Sequence, residues 1–262
     1  MPALITLTTD FGLRDPFVGI MKGVILAING EVNLVDVTHQ VESFDVLEGA
    51  LTLAESYPYF PPGTIHLVVV DPGVGSERRP ILVSMPDSVF IGPDNGIFSL
   101  VYEREAAFEV RHVIAEQYFR RPVSRTFQGR DIFAPVAAWL SRGKPPEHFG
   151  PVIGDYVRVA TPKPQPSDGE MLGSVLRVDK FGNVTTNFRP GDLPSRFRLL
   201  IHDRAVTRLR TSYSAGKPGE VFAIVGSAGF VEMSSREASA AAILDVRKGD
   251  PVRLELPRKP PF

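Results

Sequence analysis

The 262-residue sequence contains no cysteine. That absence excludes disulfides, thiolate zinc sites and a cysteine nucleophile. No apolar run approaches transmembrane length, so no membrane partner is expected. The opening residues, MPALITLTTDFG, lack the basic region and long apolar stretch of a signal peptide, and a soluble, cytoplasmic protein is expected. Charge of either sign is not in excess: the net value is -1, so there is no electrostatic footprint for nucleic acid. The five histidines, His39, His66, His112, His148 and His202, show no HExxH or similar ligand spacing, which argues against a catalytic zinc. There is no GxSxG elbow, no GxxxxGK(S/T) loop and no GxGxxG after a strand.

What is present supports a real core, with 43% hydrophobic residues. The 24 prolines and 23 glycines are dispersed, which marks firm turns rather than disorder. The chain is organised around Leu67 to Pro80, LVVVDPGVGSERRP. Its apolar, β-branched opening suits a strand buried on both faces. Asp71 follows where that strand would leave the core. Pro72, Gly73 and Gly75 then form a turn that can bring backbone close to a ligand, with Arg78 and Arg79 just beyond. A carboxylate at the C-terminal end of a parallel strand is where open α/β sheets place their sites. A solvated turn whose aspartate bonds its own backbone is the plainer alternative.

Around this stretch, strand and helix patterns alternate. Ala3 to Thr9 reads as a strand, and a helix follows with Asp15 as N-cap and Pro16 at its first position. Val32 to Val37 is a second strand, and Asp45 caps a helix over Val46 to Ser56. Gly63 to Asp71 is the third strand. This order predicts a parallel sheet with right-handed crossovers. Short strands are expected over Ile81–Ser84, Ser88–Ile91 and Phe108–Val113. Thr126 to Asp131, TFQGRD, is expected to precede a helix carrying Ile132, Phe133, Val136 and Leu140, with Trp139 in a core or subunit contact.

Residues 161–169, TPKPQPSDG, read as a stiff proline-rich linker. It divides an α/β domain over 1–160 from a small, mostly β, barrel-like domain over 170–262. In the second domain, strands are expected near 173–178, 184–187, 196–201, 221–225 and 252–256. Asp179 to Asn183 reads as a hairpin turn. Gly226 to Phe230 is either a turn or a backbone nest for an anion. In the first domain Asp10, Asp15 and Asp71 all fall at or beyond strand ends and suggest a shared rim. Such a rim suits ribose hydroxyls, an ammonium group or a hard metal, while Asp15 also has its capping role.

The ordered stretches TTDFGLRDPFVG, DVTH, FDVLEGA, VVVDPGVGSERRP, GPDNG, TFQGRDIFAP, DKFGNVTTN and GSAGFVE together resemble the SAM hydroxide adenosyltransferase family, the S-adenosylmethionine hydrolases related to fluorinase and chlorinase. The resemblance covers nearly the whole chain. It implies a three-layer α/β/α domain followed by a C-terminal β-barrel, and a homotrimer with sites at subunit interfaces. Carried over residue by residue, Asp10 would hold the ribose diol and Phe44 would pack on the ribose or adenosine. Asp15 would sit near the methionine end, Asp179 would face its ammonium and Ser227 its carboxylate. Phe181 and Asn183 would contact the adenine, and Phe127 would line the pocket at the attacked carbon.

The hydrolytic members use Asp, Arg and His on the attacking water, and Asp71 and Arg78 match the first two. The third position is Gln128, since this chain reads TFQG where the family reads TFHG. Glutamine orders a water but cannot take its proton at neutral pH. The implied reaction is hydrolysis of S-adenosylmethionine to adenosine and methionine, with no metal or organic cofactor. A weakly active or non-catalytic S-adenosylmethionine or adenosine binder is the alternative that Gln128 favours. A halide-using adenosyl transferase is disfavoured by Asp71, whose charge would repel an anion.

Overall fold

The computed structural model describes residues 2–256. The chain divides into two compact units, residues 1–160 and residues 161 onward. In the first unit the described elements are β1 (Leu4–Thr9), α1 (Phe17–Ile28), β2 (Asn33–Thr38), α2 (Val46–Ser56), β3 (Thr64–Val69), β4 (Pro80–Ser84), β5 (Ser88–Pro93), α3 (Ser99–Arg104), β6 (Glu109–His112) and α4 (Ala134–Ser141). The strand order is β2-β1-β3-β5-β4-β6. The first four run parallel, and β4 pairs antiparallel with both β5 and β6.

Every residue of β3 is buried, Thr64 and His66 included beside the apolar run that begins at Leu67. Side chains alternate across the pleat. Ile65, Leu67 and Val69 pack on the face that holds Met21 and Ile25 of α1 and Val136 of α4. Val68 and Val70 pack on the other, with Leu53 of α2 and Val101 of α3. This is the three-layer α/β/α arrangement, and each such fully buried side chain contributes roughly 2 kcal/mol over leaving it exposed. Asp45 caps α2 as expected, its side chain accepting from Glu48 N at 3.0 Å.

Three local expectations are corrected. Asp15 is exposed and does not cap α1; Pro16 takes the N-cap position with no side-chain cap bond, and its carbonyl accepts from Ile20 N at 2.9 Å. The ring of Pro16 already fixes a helix-compatible φ of -78°, so the helix starts without a polar cap. The helix expected to follow Thr126–Asp131 begins earlier, because Gly129–Phe133 is a π-helical turn that runs directly into α4. The expected linker over 161–169 is partly strand, because Gln165–Ser167 (β7) pairs antiparallel with Glu170–Leu172 and leaves only a short connection. An edge position tolerates Pro166, which has no N–H to give to a further strand.

The second unit contains β8 (Glu170–Val178), β9 (Val184–Thr186), β10 (Arg198–Ile201), β11 (Arg204–Val206), β12 (Leu209–Arg210), β13 (Val221–Val225), β14 (Val231–Ser235), a short helix α5 (Ala240–Leu244) and β15 (Pro251–Glu255). They form one curled, half-barrel sheet in the order β11-β10-β15-β8-β9-β14-β13-β12, with β7 added on β8. Val175, Val184, Leu199, Val231, Met233 and Leu254 fill its core. The sequence reading lacked β14. Its polar residues Glu232, Ser234 and Ser235 hide the strand pattern, yet all five positions are buried.

Candidate active site

In the first unit Asp10 and Asp71 of the expected rim lie near one another where the parallel strands end, and Asp15 does not join them. Thr9 lies opposite Val69 in the β1–β3 register, so Asp10 aligns with Val70 and Asp71 follows one residue later on the neighbouring strand, near enough for their charges to interact. Val74 N bonds Asp71 O at 3.3 Å and Ser76 N bonds Gly73 O at 3.1 Å, folding the turn back on itself. Gly75 is required there: its φ is 79°, and a Cβ would lie 2.3 Å from the Arg125 carbonyl oxygen. The returning chain delivers Arg78. Its Nε donates to Asp71 Oδ1 at 3.1 Å and its Nη2 donates to Asp71 Oδ2.

The same Nη2 donates to Gln128 Oε1 at 2.6 Å. Asp71, Arg78 and Gln128 therefore form one network, although 50 residues separate the last two. The Asp71 and Arg78 side chains are only 5% and 6% exposed, and the guanidinium lies 5.2 Å from the Phe133 ring centroid. A bidentate, buried pair of this kind is rigid and strongly directional. Arg78 Nη1 is buried with no hydrogen-bond partner in the protein. An N–H left without a partner in such a place is the kind of exception that calls for a ligand or a water. Burial pushes the Asp71 carboxyl above its ordinary value; Arg78 opposes this, and the neighbouring Asp10 charge adds to it.

Gln128 reaches the network because the π turn begins at Gly129. Both Arg130 N and Asp131 N bond Phe127 O, at 3.2 and 3.3 Å. The extra residue of a π turn re-aims side chains, and such turns gather at functional sites. Asp131 is fully buried inside it, held by Arg130, Arg120 and Ser124 N. Phe127 packs edge-on against Phe11 and Phe17, at 6.1 and 5.3 Å between ring centroids, and forms an aromatic wall beside Gln128. Asp10 accepts from Phe44 N at 2.9 Å. Phe44 adopts a left-handed φ of 69° to make that bond and leaves its ring 72% exposed. Holding phenylalanine in that conformation costs about 1–2 kcal/mol, which marks the loop as built for a purpose. Asp15 is exposed and joins none of these contacts.

In the second unit Asp179 organises its own turn. Its Oδ1 accepts from Phe181 N and Asn183 N, both at 2.9 Å, and its Oδ2 accepts from Asn183 Nδ2 at 2.8 Å. The hairpin reading thus holds, and it fixes Phe181 and Asn183 together. They line a hollow of about 540 Å³ with Tyr213, Ser235, Glu237, Ala238 and Ser239. Phe181 is 76% exposed while Asn183 is buried, so one offers a ring face and the other an amide. Gly182 is needed beneath them, since a Cβ there would fall 2.1 Å from Ser239 Oγ.

Ser227 is exposed in a separate turn closed by Gly226 N to Phe230 O and Gly229 N to Gly226 O, both 2.9 Å. Those bonds consume two of the N–H groups that a nest would offer, and the Glu232 carboxylate packs directly under Gly226. The turn is a weaker anion site than its glycines suggest. Sequence reasoning missed Tyr213, whose hydroxyl donates to Glu232 Oε2 at 3.3 Å and is pushed up by burial and by the nearby carboxylates. Nothing around Tyr213 signals a site, whereas Glu232 was visible as the last residue of GSAGFVE.

Known proteins share this plan. The profile of the SAM hydroxide adenosyltransferase N-terminal domain matches residues 5–150, and that of its C-terminal domain matches residues 173–253. The (R)-S-adenosyl-L-methionine hydrolase of Salinispora arenicola is 38% identical over 259 residues, covering 95% of this chain and 97% of that protein. A fluorinase from an Actinoplanes species is more distant, at 27% identity over 95% of this chain and 97% of its own length. The crystal structure of an uncharacterised conserved protein from Thermotoga maritima superposes with a TM-score of 0.88 at 34% identity, covering 95% of this chain and 99% of that one. With both family domains matched in order along nearly its whole length, the chain belongs to the SAM hydroxide adenosyltransferase family.

Proposed function

We propose that the chain hydrolyses S-adenosyl-L-methionine to adenosine and L-methionine. A water oxygen forms a bond to the ribose 5′-carbon as the carbon–sulfur bond breaks. The sulfur keeps the bonding pair and leaves as neutral methionine thioether, so no general acid is needed. The water's proton passes to Asp71 or to solvent. The observation that carries this reading is the buried Asp71–Arg78–Gln128 network with the Arg78 Nη1–H donors left unpartnered. That nitrogen supplies a donor to the water oxygen, and Asp71 supplies the acceptor for its proton. Desolvation and alignment of the nucleophile then provide the rate enhancement.

The remaining residues divide the substrate between them. Asp10 accepts the ribose hydroxyls, with Phe44 beside it and Phe127 lining the attacked carbon. Phe181 and Asn183 take the adenine in their hollow, whose volume of about 540 Å³ is ample for a planar base. Asp179 faces the ammonium group, Ser227 the carboxylate, and Asp15 lies towards the methionine end. Three of the acceptor positions of Asp179 serve its own turn, and the remaining one is what it offers the ammonium group. We take the reaction to need no metal or organic cofactor, and the protein to act in the cytoplasm; no described helix is long and apolar enough to cross a membrane.

A homotrimer with sites between subunits is part of the same proposal. The outer face of α1 supports contact with a second copy, since Ile20 and Leu26 stand 38% and 46% exposed there. Light scattering at micromolar concentration should return three chain masses, and a monomer mass would refute it. A second reading, a slow or non-catalytic binder, is favoured by one observation: Gln128 Oε1 is already committed to Arg78 and leaves only an amide donor. Incubating purified protein with S-adenosylmethionine separates the readings. Adenosine with methionine supports hydrolysis, unchanged substrate supports the binder, and halogenated adenosine in chloride or fluoride would mean halide transfer.

A further inference from the structure

The stretch DVTH, Asp36 to His39, touches nothing in the network above, yet it is wired to the turn that carries Asp10. His39 is 4% exposed, and its Nδ1 lies 2.8 Å from Thr9 Oγ1. Thr9 Oγ1 also accepts from Phe11 N at 3.2 Å. Gly12 N bonds His39 O at 2.7 Å, and Val41 N bonds Thr9 O at 3.4 Å. Asp10 thus sits between two residues tied to one hydroxyl, inside a loop clamped at both ends by the His39 segment. On the far side of the ring, His39 Nε2 lies 3.0 Å from Asp36 Oδ1, out of line for a good hydrogen bond but well within ion-pair range. Asp36, itself exposed, also pairs with Lys22 at 2.6 Å.

The directions of these bonds assign the protons. Thr9 Oγ1 receives the Phe11 N–H, so its own proton is free to point at His39 Nδ1. His39 then carries its proton on Nε2, on the side that faces the Asp36 carboxylate at 3.0 Å without a hydrogen bond between them. The opposite tautomer would aim a bare nitrogen lone pair at a carboxylate. A one-residue register shift brings the ring there: Leu7 pairs with Asp36 but Thr8 pairs with Thr38, so Val37 is an extra residue in β2. Such a bulge re-aims the side chains that follow.

We infer that Asp36 and His39 are positioning residues that act through Thr9 to hold Asp10 for the ribose diol. They touch no substrate atom. Their effect is confined to ligands with both ribose hydroxyls, because only those use the Asp10 carboxylate. The inference rests on the proposed ribose role of Asp10.

The test is calorimetric titration of the full-length chain with adenosine and with 2′,3′-dideoxyadenosine. Thr9→Val keeps the shape and removes the hydroxyl, and His39→Leu removes the ring acceptor. Each should weaken adenosine binding by about 10-fold, the scale of one buried hydrogen bond, and leave the dideoxy ligand within about twofold. His39→Asn retains an acceptor near the Nδ1 position and should recover most of the loss. Binding of the dideoxy ligand reports that each variant is folded. Equal losses for both ligands would mean a merely structural role and overturn the inference. Asp10→Ala separates the two layers. If it abolishes the preference for adenosine while Thr9→Val does not alter it, the relay is refuted and the ribose reading stands. If Asp10→Ala leaves the preference intact, the ribose reading fails and takes the relay with it.

Discussion

Replacing Gln128 by histidine should raise the single-turnover rate of hydrolysis. Gln128 occupies the last residue before the π turn, half-buried, with its oxygen 2.6 Å from Arg78 Nη2. An imidazole is close to glutamine in reach and would enter the same space beside Phe127. A positioned proton acceptor is worth roughly 100-fold to 10,000-fold. Against that stands the Arg78 bond. A ring nitrogen that accepts from Arg78 leaves the other nitrogen protonated, so accepting the water's proton means releasing the guanidinium. A hydrogen bond to a charged group is worth about 1.5–3 kcal/mol, or roughly 10-fold to 100-fold. The difference leaves a gain of roughly 10-fold to 100-fold, taking the middle of each range. The assay is rapid-quench measurement of adenosine release with enzyme in excess, alongside the dissociation constant for adenosine, which should move by no more than a few-fold. Equal rates in the two proteins would refute the reasoning and leave Asp71 and Arg78 as the whole of the water-activating machinery.

Asp71→Asn should abolish measurable hydrolysis while adenosine affinity changes by less than a few-fold; a matched loss of both would make Asp71 a substrate ligand. The acid limb of the wild-type rate should lie above the ordinary aspartate range, because burial raises this carboxyl and the ionised form is the one that receives a proton. Burial pushes the His66 imidazole down to about 4, against about 6.5 in an unfolded chain. The unfolded chain therefore binds the extra proton between those values, and stability should fall by about 3 kcal/mol as pH drops through that window. Urea titrations at pH 7 and pH 4.5 should show this fall, and His66→Gln should flatten it. Gly182→Ala forces a side chain into a φ of 83° and against Ser239, and should cost about 2 kcal/mol in urea unfolding while weakening adenosine binding. Unchanged stability would mean that the Asp179 turn can move aside.

The first domain was largely legible because its signals are periodic and local. The buried run at Leu67 to Val70 gave β3, and Asp45 capped the helix it was expected to cap. The capping role given to Asp15 failed because Pro16 alone suffices to start α1. The π turn at Gly129 has no distinctive composition, so its effect on Gln128 and Asp131 emerged only from the fold. In the second domain β14 was hidden because a strand buried on both sides can keep Glu232, Ser234 and Ser235 when the fold surrounds them. Contacts between residues distant in sequence left no local trace. The Arg78–Gln128 bond spans 50 residues and the Thr9–His39 bond spans 30. Motif order pointed to the participants of the first, but not to the unpartnered Arg78 Nη1 at its centre.

The central claim is that water, held by Arg78 and Asp71, displaces methionine from the ribose 5′-carbon. Incubation of the purified full-length chain with S-adenosyl-L-methionine in ¹⁸O-labelled water, followed by mass spectrometry of the products, tests it most directly. The expected result is adenosine and methionine in equal amounts, with one ¹⁸O in the adenosine and none in the methionine. Adenosine without the label, or substrate that is bound but unchanged after prolonged incubation, would contradict it.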